Sequence, residues 1–535
     1  MAHNEAHTLP EYADTVVIGG GTAGAAIAAR LAERSDRSVL LLEAGPDYGS
    51  LADGGWPSKL LDPCKMPIDD HGWNYRGSSR YGAPGLALER ARVIGGCSSH
   101  NACAAVWGHR EDYDGWERLG NPGWGMDDLL PLFHLANEML RVFIPQASEL
   151  TPWHQALLEA APGAGFPVRP DMNDVDVTHG IAISPINVSQ GMRWNTALAY
   201  LDPQRGRPNF TIRGNVLADR LVLEGSRVTG VDVIGPQGPT RVRAGQVVVS
   251  GGAYGSPLLL QRSGIGDPDE LRALGIEPRH ALPGVGRNLQ EHSVILLLDP
   301  GNPELTARMQ RFAAEGGLVR EDAINILARS SYCKSAFDLH IYPMASREFG
   351  SWASASPEAG AWAAEKQQDG DRWLMGVGPG VLTPLSRGTV SILDRDPESA
   401  PRIDHNYFSD PDDRDLAILM DGVEIAREVM AQPGLARLVG NEHAPGISVT
   451  DRGPLGDYIR THSSHAYHPT SSCTMGPDSD PDAVVDPRGR VHGLQGLYVG
   501  DASIMPTVPR ANTNIPALVV GEKIASLLLE SNRAS

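Results

Sequence analysis

Cysteine is scarce in this chain, and the few cysteines do not cluster. They stand at 64, 97, 103, 333 and 473. Their number is odd and no CxxC pair occurs, which argues against a disulfide framework or a structural zinc site. A reducing compartment fits, and a cytoplasmic protein without a bound metal is the expectation. Positive charge is short as well: 46 Lys and Arg against 65 Asp and Glu leave a formal charge of −19. Nucleic acid and anionic membrane surfaces both need basic patches, so neither is expected as a partner. No apolar run reaches the ~18 residues of a membrane span. The polar opening MAHNEAHTLPEY has no apolar core of the kind a secretory signal needs.

Glycine and proline are plentiful, 60 and 41 in 535 residues. That implies many tight turns and long connections, and the length implies two or more domains. Near the start, DTVVIG (14–19) is a short β-branched run, GGGTAG a turn, AAIAARLAERS a helical pattern and VLLLEAG (39–45) a second buried strand. This is a βαβ unit. Gly19, Gly21 and Gly24 fit G-x-G-x-x-G, and Glu43 ends the second strand. Gly19 permits the turn, Gly21 clears space for a pyrophosphate, and Gly24 lets the helix pack on the sheet. The helix N-terminus faces the phosphates and Glu43 can bind ribose hydroxyls. The unit therefore predicts dinucleotide binding. Residues 46–95 are irregular, while FTIRGN (210–215), DRLVLEGSRVTGVDVIG (219–235) and QVVVSGG (246–252) read as the rest of one interrupted nucleotide domain. That leans toward FAD over a nicotinamide.

The expected fold is α/β. A Rossmann-like FAD-binding domain from 1–155, 200–297 and 457–535 is interleaved with an α+β substrate domain from 156–199 and 298–456. In the latter, FDLHIYPM and GTVSILD read as strands and DLAILMDGVEIAREVMA as an amphipathic helix. The C-terminal stretch predicts a strand, a proline-broken loop and a helix from about 515.

Several separated stretches carry a common resemblance: VVIGGGTAG with LLLEAG, ARVIGGCSSHN, GAYGSPLLLQRSGIG, PGVGRNLQEH, HPTSSCTMG and GLYVGDASIMPTVPRANTNIPALVVGEKIA. Together they resemble the glucose–methanol–choline family of FAD-dependent alcohol oxidoreductases, from end to end and in the family's order. ARVIGGCSSHNACAAVWGHREDYDGW is most similar to its choline-oxidase branch. In that branch the histidine of GGCSSHN carries the flavin covalently. The resemblance therefore implies FAD bonded to His100, which otherwise stands as an unexplained imidazole in a run of small residues; a histidine merely packed against the flavin is the plainer alternative. The implied FAD contacts are Gly19, Gly21, Thr22, Ala23, Gly24, Glu43 and Ala44, then Arg92, Gly95, Gly96, Ser99, Asn101 and Ala102, and finally Val216, Asp501, Ala502, Asn512 and Thr513.

His468 and Asn512 are the implied catalytic pair. Oxidising an alcohol removes a hydroxyl proton and a hydride, and the proton needs a base with a pKa near neutral, for which imidazole is the usual choice. An amide at Asn512 can hold the oxygen. His462 and His465 are equally titratable by sequence, and Asn514 rivals Asn512. His340, Tyr342, Ala466 and Tyr467 are candidates for the substrate pocket. The branch binds a trimethylammonium group with aromatics and a carboxylate. An ungapped comparison puts Ala323 at the acid's place, and Glu321 and Asp322 read as a surface pair. A neutral primary alcohol is thus the expected substrate, with dioxygen as acceptor and hydrogen peroxide as product. A dehydrogenase passing electrons to a quinone is the alternative, followed by a hydroxynitrile lyase and a flavin-binding protein without activity. A monomer or homodimer is expected.

Overall fold

The structure is a computed structural model and describes residues 9–33, 37–67, 70–78, 86–299, 301–321, 323–346 and 373–534. Two sheets organise it. In the first, Phe210–Arg213, Val39–Leu42, Tyr12–Ile18, Gly238–Val249 and Leu497–Val499 run parallel, and Arg227–Gly235 and Leu217–Glu224 extend it as an antiparallel meander. The central strands are covered on both faces, so they read as unbroken apolar runs rather than alternating ones. Val16, Val17, Leu40 and Leu41 are all wholly buried, each contributing ~1.5–3 kcal/mol of hydrophobic stabilisation.

The helix Thr22–Ala32 follows the first strand, and the C-terminal helix Asn514–Ala534 lies against it. Alanine dominates the first helix, which favours helix formation and permits close packing. Gly24 sits where a Cβ would lie 2.0 Å from the carbonyl oxygen of Gly19, so it seats the helix on the loop. The two helices begin side by side, the Thr22 hydroxyl donating to Asn514 Oδ1 at 3.2 Å. Two sets of unsatisfied N–H groups, each with its positive dipole end, therefore open on one place.

The second sheet is antiparallel, ordered Ser464–His465, Ser293–Val294, Leu374–Val381, Leu339–Ser346, Ile324–Ala328 and Gly180–Ile183, with Leu297–Asp299 also on Leu374–Val381. It thereby takes in 293–294 and 464–465, stretches that the sequence division places with the nucleotide domain. The helix Arg414–Met430 packs on it through a second apolar core that includes Leu339, Leu416, Leu419 and Val423. Among the described residues no helix is long and apolar enough to cross a membrane.

Candidate active site

One cavity of about 520 Å³ runs from the first sheet to the second. Its floor is the loop after the first strand: Gly19, Gly21, Thr22 and Ala23, with Glu43 and Ala44 beside them. Glu43 holds this loop through both carboxylate oxygens, accepting N–H bonds from Gly20 and Gly45 at 2.8 Å. Burial raises its pKa to about 7 despite those two bonds. Against this loop, Gly96 has φ +53°, and a Cβ there would lie 2.6 Å from Gly21 Cα. The two loops can meet so closely only without that side chain.

Val216 and Arg92 line the far end. The Val216 N–H is donated to the Glu43 carbonyl at 2.9 Å, so a backbone contact to an adenine would use its own carbonyl. Arg92 lies 4.6 Å from the centre of the Trp73 ring and is paired with Glu398 at 2.9 Å. Glu398 belongs to a segment, 392–401, that also borders the cavity, although no local pattern of residues places it there. Asp501 accepts from the Gly252 N–H, the Ser256 hydroxyl and the Ser503 N–H, tying its own turn to the start of the helix Gly252–Arg262 under the cavity.

His100 closes the short 3₁₀ turn Gly96–Ser99. Asn101, Ala102, Ala502, Asn512 and Thr513 share the wall with it. The wholly buried Arg193 fixes the backbone on both sides of His100, donating to the carbonyls of Ser99 at 3.1 Å and Asn101 at 2.9 Å. Three expected contacts do not face the cavity. Gly24 is a packing position, as described above. Gly95 and Ser99 lie behind the turn, where the Ser99 hydroxyl donates to the Ile94 carbonyl at 2.8 Å.

His468, Ala466 and Tyr467 line the second-sheet end. Pairing of Ser293 with His465 brings His292 beside this segment, and the Ala466 N–H donates to the His292 carbonyl at 3.1 Å. The imidazoles then meet, Nδ1 to Nδ1, at 2.9 Å. Glu291 staples the two segments, since its Oε1 accepts the N–H of His292 at 2.9 Å and of His468 at 2.8 Å. Burial raises Glu291 to about 8, against the pull of Arg90 and these bonds. Tyr467 has φ +67°, a left-handed conformation that costs an aromatic residue ~1–3 kcal/mol. Arg90, donating to its carbonyl at 3.1 Å, helps to hold it.

The pKa of His468 is not near neutral. Burial, then the neighbouring His292 and Arg90, push it well below 6.5. The imidazole is therefore a neutral acceptor across the physiological range. His465 is buried but turned away, its Nε2 bonded to the Ala87 carbonyl at 2.8 Å, and His462 stacks on Tyr458. Neither reaches the cavity. Asn514 lines it too, yet accepts the Thr22 hydroxyl. Tyr342 is on the wall, but His340 lies behind it, its Nδ1 bonded to the Tyr342 hydroxyl at 3.1 Å. Glu321 is half-buried and borders the cavity, which corrects its reading as part of a surface pair; Asp322 lies outside the described residues. Among the described residues no cluster of His, Cys, Asp or Glu could hold a metal ion.

A parallel-sheet dinucleotide floor with two helix N-termini, facing a buried histidine pair, defines a dinucleotide-dependent oxidoreductase. The family described as GMC oxidoreductase matches over residues 13–294 and again over 384–521, and the chain belongs to it. It is thus an FAD-dependent oxidoreductase acting on alcohols. It is 34% identical to the choline oxidase of Arthrobacter globiformis, covering 96% of this chain and 94% of that protein. It is 32% identical to the oxygen-dependent choline dehydrogenase of Vibrio vulnificus (strain YJ016), covering 97% and 95%. The solved structure of pyridoxine 4-oxidase from Mesorbium loti superposes with a TM-score of 0.83 at 28% identity, covering 97% of this chain and 99% of that one.

Proposed function

We propose that the chain oxidises a neutral primary alcohol to its aldehyde, with His468 taking the hydroxyl proton and dioxygen serving as final acceptor. The observation that carries this reading is the His292–His468 contact. One of the two Nδ1 atoms must carry a proton for that bond to exist. In the working tautomer His468 Nδ1–H donates to His292, and His468 Nε2 keeps its lone pair for the substrate. His292 is then protonated at Nε2, and its ring lies near the carbonyls of Leu382 and Pro509. Asn512, on the wall just before the last helix, offers an amide donor for the alcohol oxygen. Bound FAD supplies the hydride acceptor. Gly21 and Gly96 leave room for it, and the N-termini of the two helices suit its pyrophosphate.

The wall favours a neutral substrate. Tyr342 and Met344 line the second-sheet end of the cavity and are backed by Val294, Leu296, Leu298 and Ala444 in one apolar cluster. Of the acids lining the cavity, Glu43, Asp501 and Glu398 are committed as described, and Glu89 lies 3.6 Å from His465. Asp394 and Asp396 accept N–H bonds within their own segment. Glu321 remains. A quaternary ammonium loses several kcal/mol when stripped of water, and an aromatic face such as that of Tyr342 returns only ~0.5–2 kcal/mol of it. Choline is therefore expected to show a kcat/KM at least ~10-fold below that of a neutral primary alcohol of similar size, a difference of about 1.4 kcal/mol. The relatives named for choline, together with Glu321 on the wall, favour the opposite ordering. If choline proves the better substrate, Glu321→Gln should abolish its advantage.

FAD is held covalently through His100 in this reading. After acid precipitation the yellow colour should stay with the pelleted protein. In His100→Ala it should pass to the supernatant, with part of the activity kept, because the bond tunes the flavin and does not contact the alcohol. Mixing reduced enzyme with dioxygen tests the acceptor: rapid reoxidation with one hydrogen peroxide per flavin is expected, and slow reoxidation, accelerated by a quinone, would assign a dehydrogenase.

A further inference from the structure

We propose that Cys97 is the proton acceptor that activates His100 for attachment to FAD, an inference that rests on the covalent reading above. The 3₁₀ turn Gly96–Ser99 sets the geometry. Residues three apart eclipse one another in such a turn, so the side chains of Cys97 and His100 stand together. The Cys97 carbonyl accepts the N–H of His100 at 3.2 Å and of Asn101 at 3.0 Å, which locks the arrangement. The thiol is in hydrogen-bonding reach of the His100 ring, and both side chains line the cavity. His100 is only 6% exposed, and its Nδ1 has no hydrogen-bond partner. A buried imidazole with an unused nitrogen on the cavity wall is a nucleophile awaiting an electrophile.

Cys97 differs from the other cysteines. All five are free thiols. Burial raises the pKa of Cys64 to about 11 and also raises those of Cys103, Cys333 and Cys473. At Cys97 burial pushes the same way, but the Arg90 guanidinium and then the His100 ring outweigh it and bring the thiol down to about 6. Tyr254 also faces this group, and burial keeps its phenol well above 10, hence neutral. The thiolate is therefore the charged acceptor beside the imidazole at neutral pH.

A C–N bond forms between the ring nitrogen and the methyl carbon at the dimethylbenzene edge. One methyl C–H and the imidazole N–H give up protons, the latter to Cys97. Two electrons pass to the isoalloxazine ring, and dioxygen removes them with two protons as hydrogen peroxide. Cys97 returns its proton to solvent and is not consumed.

The test compares wild type, Cys97→Ser and Cys97→Ala, each incubated in air with excess FAD. Total bound FAD and the share retained after acid precipitation are followed over time. Serine keeps the size but cannot hold a charge at neutral pH. Both variants should bind FAD in wild-type amount and attach it ~10²-fold more slowly, the scale of a lost proton acceptor. Arg90→Met, which leaves the thiol in place, should also attach slowly and recover as pH rises and the thiol ionises; a purely structural role for Arg90 would show no such recovery. Attachment at the wild-type rate in Cys97→Ser or Cys97→Ala overturns the role of Cys97 alone. Complete release of flavin from the wild type overturns the covalent reading, and this inference with it. Should either cysteine variant fail to fold, the other and the Arg90→Met pH profile still decide.

Discussion

His468→Ala is expected to slow alcohol-driven flavin bleaching by ~10²–10⁴-fold, the range for loss of a positioned general base, while FAD content stays near the wild-type value. Retention of FAD is expected because His468 sits at the second-sheet end, away from the nucleotide loops around Gly19 and Gly96. The pH dependence has a definite sign. The pKa of His468 is depressed by burial and by its neighbours, so the base is already unprotonated at neutral pH. Its protonation should lower the wild-type bleaching rate only in acid, below the ordinary histidine value. The variant should lose that acid limb. Stopped-flow absorbance at the flavin band measures both. Bleaching at the wild-type rate in the variant would remove His468 from the reaction.

Gly96→Val is expected to yield protein essentially without FAD. Valine at φ +53° is itself strained by ~1–3 kcal/mol. Its Cβ would also meet backbone, Gly21 Cα at 2.6 Å, which cannot rotate away as a side chain could. Relief requires the two loops to part, and both line the cavity that would hold the FAD. With each 1.4 kcal/mol worth about tenfold, strain and clash together should weaken FAD retention by at least ~10²-fold. The flavin-to-protein absorbance ratio of the purified variant reads this, with far-UV circular dichroism to confirm that the sheets persist. A ratio equal to the wild type would show that the close approach of these loops is not needed.

What was legible in the sequence is what is local. The strand–loop–helix–strand run of 12–42 carries its own periodicity and turn residues, and the helix over 414–430 its own amphipathic repeat. The run 219–235, read as strand signal, is a hairpin that turns at Gly225, with strands 217–224 and 227–235. The histidine pair was hidden because it joins residues 176 positions apart. Nothing in PGVGRNLQEH says that its last two residues will lie against HPTSSCTMG. Only the antiparallel pairing of 293–294 with 464–465 makes that so. Arg193 was hidden for a like reason: it acts on main-chain carbonyls around His100, and a carbonyl leaves no mark in a sequence. The near-neutral pKa expected of the base failed because burial among three other imidazoles and Arg90 is a property of packing and not of residue type. Glu321 was misread because it stands ahead of the strand Ile324–Ala328, in a bend where packing and not periodicity decides whether an acid faces solvent or the cavity.

The central claim is that a bound alcohol surrenders a hydride to FAD at the wall formed by His468 and Asn512. The most direct measurement is an anaerobic screen of primary alcohols against the purified holoenzyme, following the flavin band and the aldehyde in the same sample. At least one alcohol should bleach the flavin completely, with one aldehyde formed per flavin. An alcohol converted while the flavin stays oxidised, or a broad panel that leaves the band untouched, would contradict it.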